Sequence, residues 1–264
     1  MEIKGIDISS HQGDIDFERV KADGIRFVII KAGQGLREMA TFRQKYLPAV
    51  LAAGLDWGAY WWSDAVAVEE AKKEAGAFVR ALDGLRPTYP VYMDQEYAGP
   101  CGKWGVGKNK QLRTDMAMAF MDVLQDAGYY AGLYASTDWL QNWVDAKQLE
   151  AYDKWVAQYA AKCTYAGSYG MWQHHGDVPG FAGRVDGISV PVDINACYRD
   201  YPEIIKANLL NGWTREDKPG VPVESSKDGT VSVSKTELEG LHDCLTAALG
   251  SVNRMLEEAG HGAA

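Results

Sequence analysis

Asp94 and Glu96 are separated by one position in the run Tyr92-Met93-Asp94-Gln95-Glu96-Tyr97, at the end of an apolar stretch. If that stretch is a strand, residues two apart share a face and lie about 6.6 Å apart along it. Both carboxyls then enter one cleft while Gln95 points away. Two acids in one cleft repel, and repulsion with burial raises the pKa of one until it stays protonated near neutrality. That pairing suits glycoside hydrolysis, where one group protonates the leaving oxygen and the other stabilises the cationic transition state. Asp7, after Ile3-Lys4-Gly5-Ile6, and Asp193, in Pro191-Val192-Asp193-Ile194-Asn195, occupy comparable places. A lone Asp ordinarily caps a helix or faces solvent, the reading given to Asp14, Asp16 and Asp23 beside the first helical segment. Shared placement at strand ends sets the other four apart.

To meet, those four groups need a fold that gathers strand ends. Runs rich in β-branched and aromatic residues recur at 3–7, 25–31, 56–62, 89–94 and 129–135. Segments with helical spacing at 17–22, 40–53, 66–82 and 110–127 alternate with them, and this alternation predicts a parallel sheet. After a short helical stretch near 138–152, three more runs at 154–159, 170–174 and 190–194 stand too close together for crossover helices. Five helix-linked strands plus three make eight, the number at which such a sheet closes into a filled barrel. The expectation is an α/β chain: an irregular (β/α)5β3 TIM-like barrel over residues 1–213, with its chemistry at the carboxyl ends of the strands.

Residues 214–233 have the Pro, Gly and charge content of a linker. Beyond them Ser234 with Glu237 offers a cap, and Leu238, Leu241, Leu245, Ala248, Val252 and Met255 follow at helical spacing. One amphipathic helix over 234–264 must bury that stripe by docking or by self-association, which would make a homo-oligomer.

Composition narrows the function classes. The 264 residues are 47% hydrophobic and 24% charged, which is globular. A net charge of -9 removes the phosphate attraction on which nucleic-acid binders rely. Neither a membrane span nor a secretory signal is visible, and Cys101, Cys163, Cys197 and Cys244 read as reduced thiols. His174 and His175 are adjacent, which on a strand puts them on opposite faces, so no metal site is expected. Gly105-Val106-Gly107-Lys108 lacks the spacing of a phosphate loop, no GxSxG elbow occurs, and no cofactor is expected.

Six motifs, in order, carry a resemblance: Gly5-Ile6-Asp7-Ile8-Ser9-Ser10-His11-Gln12-Gly13, Gly58-Ala59-Tyr60, Asp94-Gln95-Glu96, Trp155-Val156-Ala157-Gln158-Tyr159, Trp172-Gln173 and Val192-Asp193-Ile194-Asn195. Over nearly all of residues 1–200 the chain resembles the family 25 glycoside hydrolases, lysozymes of the Chalaropsis type. The resemblance implies an N-acetylmuramidase that cleaves the β-1,4 bond between N-acetylmuramic acid and N-acetylglucosamine in bacterial peptidoglycan, plausible as a phage or prophage endolysin acting after release at lysis. It also implies Glu96 as proton donor, Asp94 at the substrate acetamido group, and Asp7 and Asp193 completing the acidic floor. Tyr60, Trp62, Tyr134 and Trp172 are expected to line the groove by apolar and CH-π contact. The sequence departs from the family where Trp61 and Trp62 follow Gly-Ala-Tyr, and Asp186 in Gly183-Arg184-Val185-Asp186-Gly187 mimics the final acidic motif as a loop decoy. A barrel that binds wall glycan through its aromatics without cleaving it is the alternative.

Overall fold

The computed structural model describes residues 2–100, 102 and 109–217. The helix expected over 234–264 with its self-association, most of the linker, Cys101, Cys244 and the 105–108 run lie outside the described residues. Thr214 to Asp217 still belong to the barrel, where Asp217 pairs with Arg86 and accepts from the Thr214 amide at 2.9 Å.

Nine strands form one sheet: β1 Ile3–Ile8, β2 Phe27–Gln34, β3 Arg37–Glu38, β4 Asp56–Trp62, β5 Val91–Asp94, β6 Ala131–Ser136, β7 Asp153–Ala157, β8 Met171–His175 and β9 Asp193–Cys197. Strand β1 pairs with β2 on one side and β9 on the other, closing eight strands into a barrel and leaving β3 as a short hairpin on β2. Pairings from β1 through β2, β4, β5, β6 and β7 to β8 are parallel. β9 runs antiparallel to both of its neighbours. The apolar run at 190–194 predicts a last strand that ends at Asp193; the strand begins there instead. Pro191 has no N–H to give a ladder, so regular pairing starts after it. Because β9 is reversed, its first residue and not its last lies at the mouth.

Helices α1 Phe17–Ala22, α2 Leu47–Ala52, α3 Val68–Leu82, α4 Lys110–Asp126 and α5 Tyr201–Ala207 cover the sheet. Asp16, Asn109 and Asp200 cap α1, α4 and α5 through side-chain oxygens that accept from amides three residues on, at 3.2, 2.9 and 3.1 Å. The segment expected as a helix over 40–53 is a π-helical turn, Phe42–Tyr46, running into α2. The stretch near 138–152 has one such turn, Trp139–Trp143, followed by open turns.

Alternation along each strand separates two apolar regions. Val28, Ile30, Ala59, Trp61 and Leu133 face outward to meet Phe78, Phe120 and Met121 of α3 and α4. Phe27, Ile29, Tyr92, Tyr134, Trp155 and Met171 face the barrel axis, with Tyr89, Tyr201 and Ile205 beside them. Large rings fit there because facing positions are small. A Cβ on Gly5 would stand 2.2 Å from the Phe27 ring, and one on Gly132 would stand 2.6 Å from that of Tyr92. We expect Gly5→Ala to cost about 1–3 kcal/mol by overpacking. Urea midpoints should show a smaller cost in a Phe27→Leu background, where the obstructing ring is gone. Equal costs in both backgrounds would mean that the Phe27 ring is not what excludes a side chain.

Candidate active site

Asp7 and Asp193 are direct partners across the β1–β9 pairing, Asp94 ends β5, and Glu96 follows it in the next turn. All four line one cavity of about 600 Å³ at the mouth of the barrel, together with Lys31, Tyr60, Trp62, Tyr134, Trp155, Tyr159 and Gln173. Gln95 points the other way: its side chain is buried, donates to the Arg113 carbonyl at 3.3 Å and accepts from Trp139 Nε1 at 3.0 Å. The same alternation that sends Gln95 into the outer layer keeps its two acidic neighbours at the mouth.

The floor is built from amides with fixed orientation. Asp7 Oδ2 accepts from Asn195 Nδ2 at 2.8 Å and from Gln173 Nε2 at 3.0 Å. Trp155 Nε1 donates to Asn195 Oδ1 at 2.8 Å, and the Tyr134 and Tyr159 hydroxyls donate to Gln173 Oε1 at 2.8 and 3.1 Å. Each amide oxygen is thereby occupied by a donor, so each NH2 group must face Asp7.

Among the described residues lining the cavity, a lysine answers this acidity. Lys31 reaches the cavity from β2, with its ammonium 4.9 Å from the Trp62 ring centroid and 3.3 Å from Gln34 Oε1. Gln34 in turn donates to Asp64 at 3.1 Å. Burial lowers the Lys31 pKa, while the charges of Asp94, Asp64 and Glu96 oppose that fall.

Of the four aromatic residues expected to line the groove, Tyr60, Trp62 and Tyr134 do so. Trp172 does not line this cavity: Gln173 next to it faces the floor, so Trp172 faces away and donates to the Gln158 carbonyl at 2.9 Å. Asp186 stands apart as well, paired at the surface with Arg19. His174 and His175 do not take opposite faces, because a register shift between Gln173 and His175 brings their rings to 4.6 Å between centroids.

A larger cavity, about 730 Å³, lies at the other end of the barrel, where β6 and β7 begin. Its strongest polar groups already have protein partners. Arg199 holds Asp153, the Tyr130 hydroxyl and Ser168, each at 3.2 Å, and the buried Lys154 ammonium donates to the carbonyls of Leu149 and Tyr152. Asp7, Asp94, Glu96 and Asp193 instead meet at the mouth, which is the candidate site.

A family model described as glycosyl hydrolases family 25 matches residues 6–181. The chain belongs to that family. It is 27% identical over 194 residues to an autolytic lysozyme of Clostridium acetobutylicum, covering 73% of this chain and 55% of that protein. It is 28% identical over 221 residues to a lysozyme of Streptococcus phage Cp-9, covering 81% and 59%. The chain therefore spans little more than half the length of these relatives. Among solved structures, a bacterial lysozyme from Streptomyces coelicolor superposes with a TM-score of 0.65 at 24% identity, over 75% of this chain and 92% of that one, and so shares the barrel fold.

The electrostatics of the mouth share one sign: all four carboxyls are held above their ordinary range. Burial raises Asp94 most, the charges of Glu96 and Asp7 add to it, and Lys31 opposes it. Burial also raises Glu96, against a hydrogen bond from Tyr134 and the charge of Lys31. Asp193 is pushed up to about 8, by burial first and then by the charge of Asp7. Asp7 rises only to about 6, since the bonds from Asn195, Gln173 and Asp193 favour its charged form against burial. Near neutrality Asp193 keeps a proton that it shares with Asp7, while burial and the charge of Glu96 favour the neutral form of Asp94. Asp94 Oδ1 is buried without a hydrogen-bond partner among the described residues.

Lys31, Gln173, Asn195 and Tyr159 are not singled out by the sequence reading. A lysine two positions beyond Ile29 on an expected strand is the available signal for the first. The other three stand inside quoted motifs without a role. Glu74 is missed too: buried on α3, it accepts from the Ser63 hydroxyl at 2.7 Å and the Asp64 amide at 3.1 Å, and burial pushes it up to about 7.

These shifts set the pH dependence of stability. Asp7, Glu74 and Asp193 bind protons more tightly folded than unfolded. Their stabilisation is complete below the unfolded range near about pH 4 and is lost as pH rises through about 6, 7 and 8. Melting temperature should therefore fall between about pH 5 and about pH 8.5, and Asp193→Asn should flatten the upper part of that fall. A melting temperature that rises across this range would contradict the assignment.

Proposed function

We propose that the protein hydrolyses the β-1,4 bond between N-acetylmuramic acid and N-acetylglucosamine in bacterial peptidoglycan, with Glu96 as general acid. The observation that carries this reading is the meeting of Asp94 and Glu96 with Asp7 and Asp193 in one sugar-sized cavity lined by aromatic rings, in a chain of this family. The relatives named as lysozymes support the substrate class. The phage relative supports a setting in which an enzyme made in the cytoplasm meets the wall after release at lysis.

The partnerless oxygen of Asp94 gives the substrate a way to place the proton. An acetamido N–H donating to Oδ1 favours the carboxylate form of Asp94. One proton is shared between two repelling acids, so stabilising the Asp94 anion moves it to Glu96. Glu96 then protonates the glycosidic oxygen as the bond to the anomeric carbon breaks. The Asp94 carboxylate steadies the acetamido group, whose oxygen or a water molecule takes the anomeric carbon. Lys31, stacked on Trp62, limits the total negative charge during this exchange.

Turbidity loss of purified cell walls tests the assignment. Glu96→Gln should lower the rate about 10²- to 10⁴-fold, the range for loss of a general acid, with wall binding retained. Equal clearing by that variant would remove Glu96 from the donor role. Binding without clearing by the unaltered protein would favour the glycan-binding reading.

A further inference from the structure

Lys31 stands among acids yet holds none of them. Asp94 at the end of β5, Asp64 after β4 and Glu96 after β5 all attract its ammonium, which lies 6.0 and 4.9 Å from the ring centroids of Tyr60 and Trp62 on β4. Among the described residues its side-chain hydrogen bond goes instead to an amide, Gln34 Oε1, at 3.3 Å. An ammonium on a flexible four-carbon stem is free to choose its acceptor, and a carboxylate gives the stronger, charge-assisted bond. Some restraint must therefore hold Lys31 on the weaker partner.

The neighbouring turn supplies it. Gln34 Nε2 donates to both oxygens of Asp64, at 3.1 and 3.4 Å. A carboxylate only accepts, so it takes the NH2 group and leaves the Gln34 carbonyl turned toward the ammonium. Asp64 is fixed in turn through its backbone: its amide donates to Glu74 Oε1 at 3.1 Å, beside the Ser63 hydroxyl, which donates to Glu74 Oε2 at 2.7 Å. Both oxygens of this buried α3 carboxyl thus hold one turn. The Ser63 amide donates to the Asp94 carbonyl at 3.0 Å, which ties the same turn to the strand end carrying the acid.

We infer that Gln34 and Asp64 are positioning residues: they keep Lys31 on the Trp62 face as a nearby charge and prevent it from closing an ion pair with Asp94 or Glu96. This rests on Glu96 being the general acid. An ammonium held at a distance offsets the charge of the acids and leaves their oxygens to the substrate. An ammonium in contact favours the ionised form and lowers the pKa of the acid it touches by about 1–3 units. A general acid paired in that way has lost the proton it should give. The other titratable groups facing Asp94 and Glu96 are Asp7 from β1, Tyr60 from β4, Tyr134 from β6, Tyr159 after β7 and Asp193 from β9.

The test adds Gln34→Met to Asp64→Asn, a background in which the side chain at 64 still accepts from Gln34 but no carboxylate there competes for the lysine. Carbon-13 NMR of carboxyl-labelled aspartate and glutamate, assigned with Asp94→Asn and Glu96→Gln, follows the upper midpoint of the Asp94–Glu96 pair without any reaction. Wall clearing against pH follows the alkaline limb, where a general acid loses its proton. Gln34→Met should lower both midpoints by about one pH unit and cut clearing on the alkaline side about tenfold. The same substitution made together with Lys31→Met should move neither midpoint, because the ammonium it would release is gone. An unmoved or raised midpoint after Gln34→Met, or an equal fall with and without Lys31, would overturn the inference. If the NMR midpoint falls while no form of the protein clears walls, the restraint on Lys31 stands and the hydrolase reading is what fails.

Discussion

Carboxylates repel one another most where water is scarce, and the mouth of this barrel holds four of them within one cavity. The rest of the site can be understood as the means of tolerating that concentration of charge. A proton between Asp7 and Asp193 removes part of it, and burial favours the neutral form of Asp94. Lys31 offsets more from β2. Amide donors from Asn195 and Gln173 stabilise what is left on Asp7. A binder of neutral sugar has no use for such crowding, whereas an acid catalyst needs a carboxyl that stays protonated without being inert.

The aromatic interior serves the same end. Trp155 touches Tyr60, Tyr92 and Tyr134 and donates to Asn195. One side chain thus fills the barrel below the mouth, packs against the Tyr134 ring and orients an amide under Asp7. Close packing of this kind makes the geometry stiff, because a shift of any ring is resisted by several others. Gly132 facing Tyr92, and Gly5 facing Phe27 in the same layer, are the sequence's provision for it.

Eight barrel strands, their mouth and its four acids were legible because each depends on local pattern. Alternation fixed Gln95 as outward, and composition separated helix from strand. Boundaries that depended on partners were not legible. The final strand starts three residues later than its apolar run because Pro191 interrupts pairing, and its direction is a tertiary fact that no local pattern encodes. The bulge at His174 defeated a strict alternation argument for the two histidines, whereas plain alternation turned Trp172 away from the cavity. Helix α5 could have been found from Asp200 as cap and Pro202 in its first turn. Lys31 reads as an ordinary strand lysine until closure places it beside acids from other strands.

Reversal of β9 has an architectural result. β8 finishes at the mouth and β9 starts there, so the chain between them, 176–192, begins and ends at the rim, and Asp177, Val190 and Pro191 form part of the wall. Every other inter-strand connection in the barrel returns to the opposite end. This one segment can grow, shrink or change composition while both strands that anchor it keep their pairing, which makes it the place where a lineage could reshape the groove for a new polymer without rebuilding the floor.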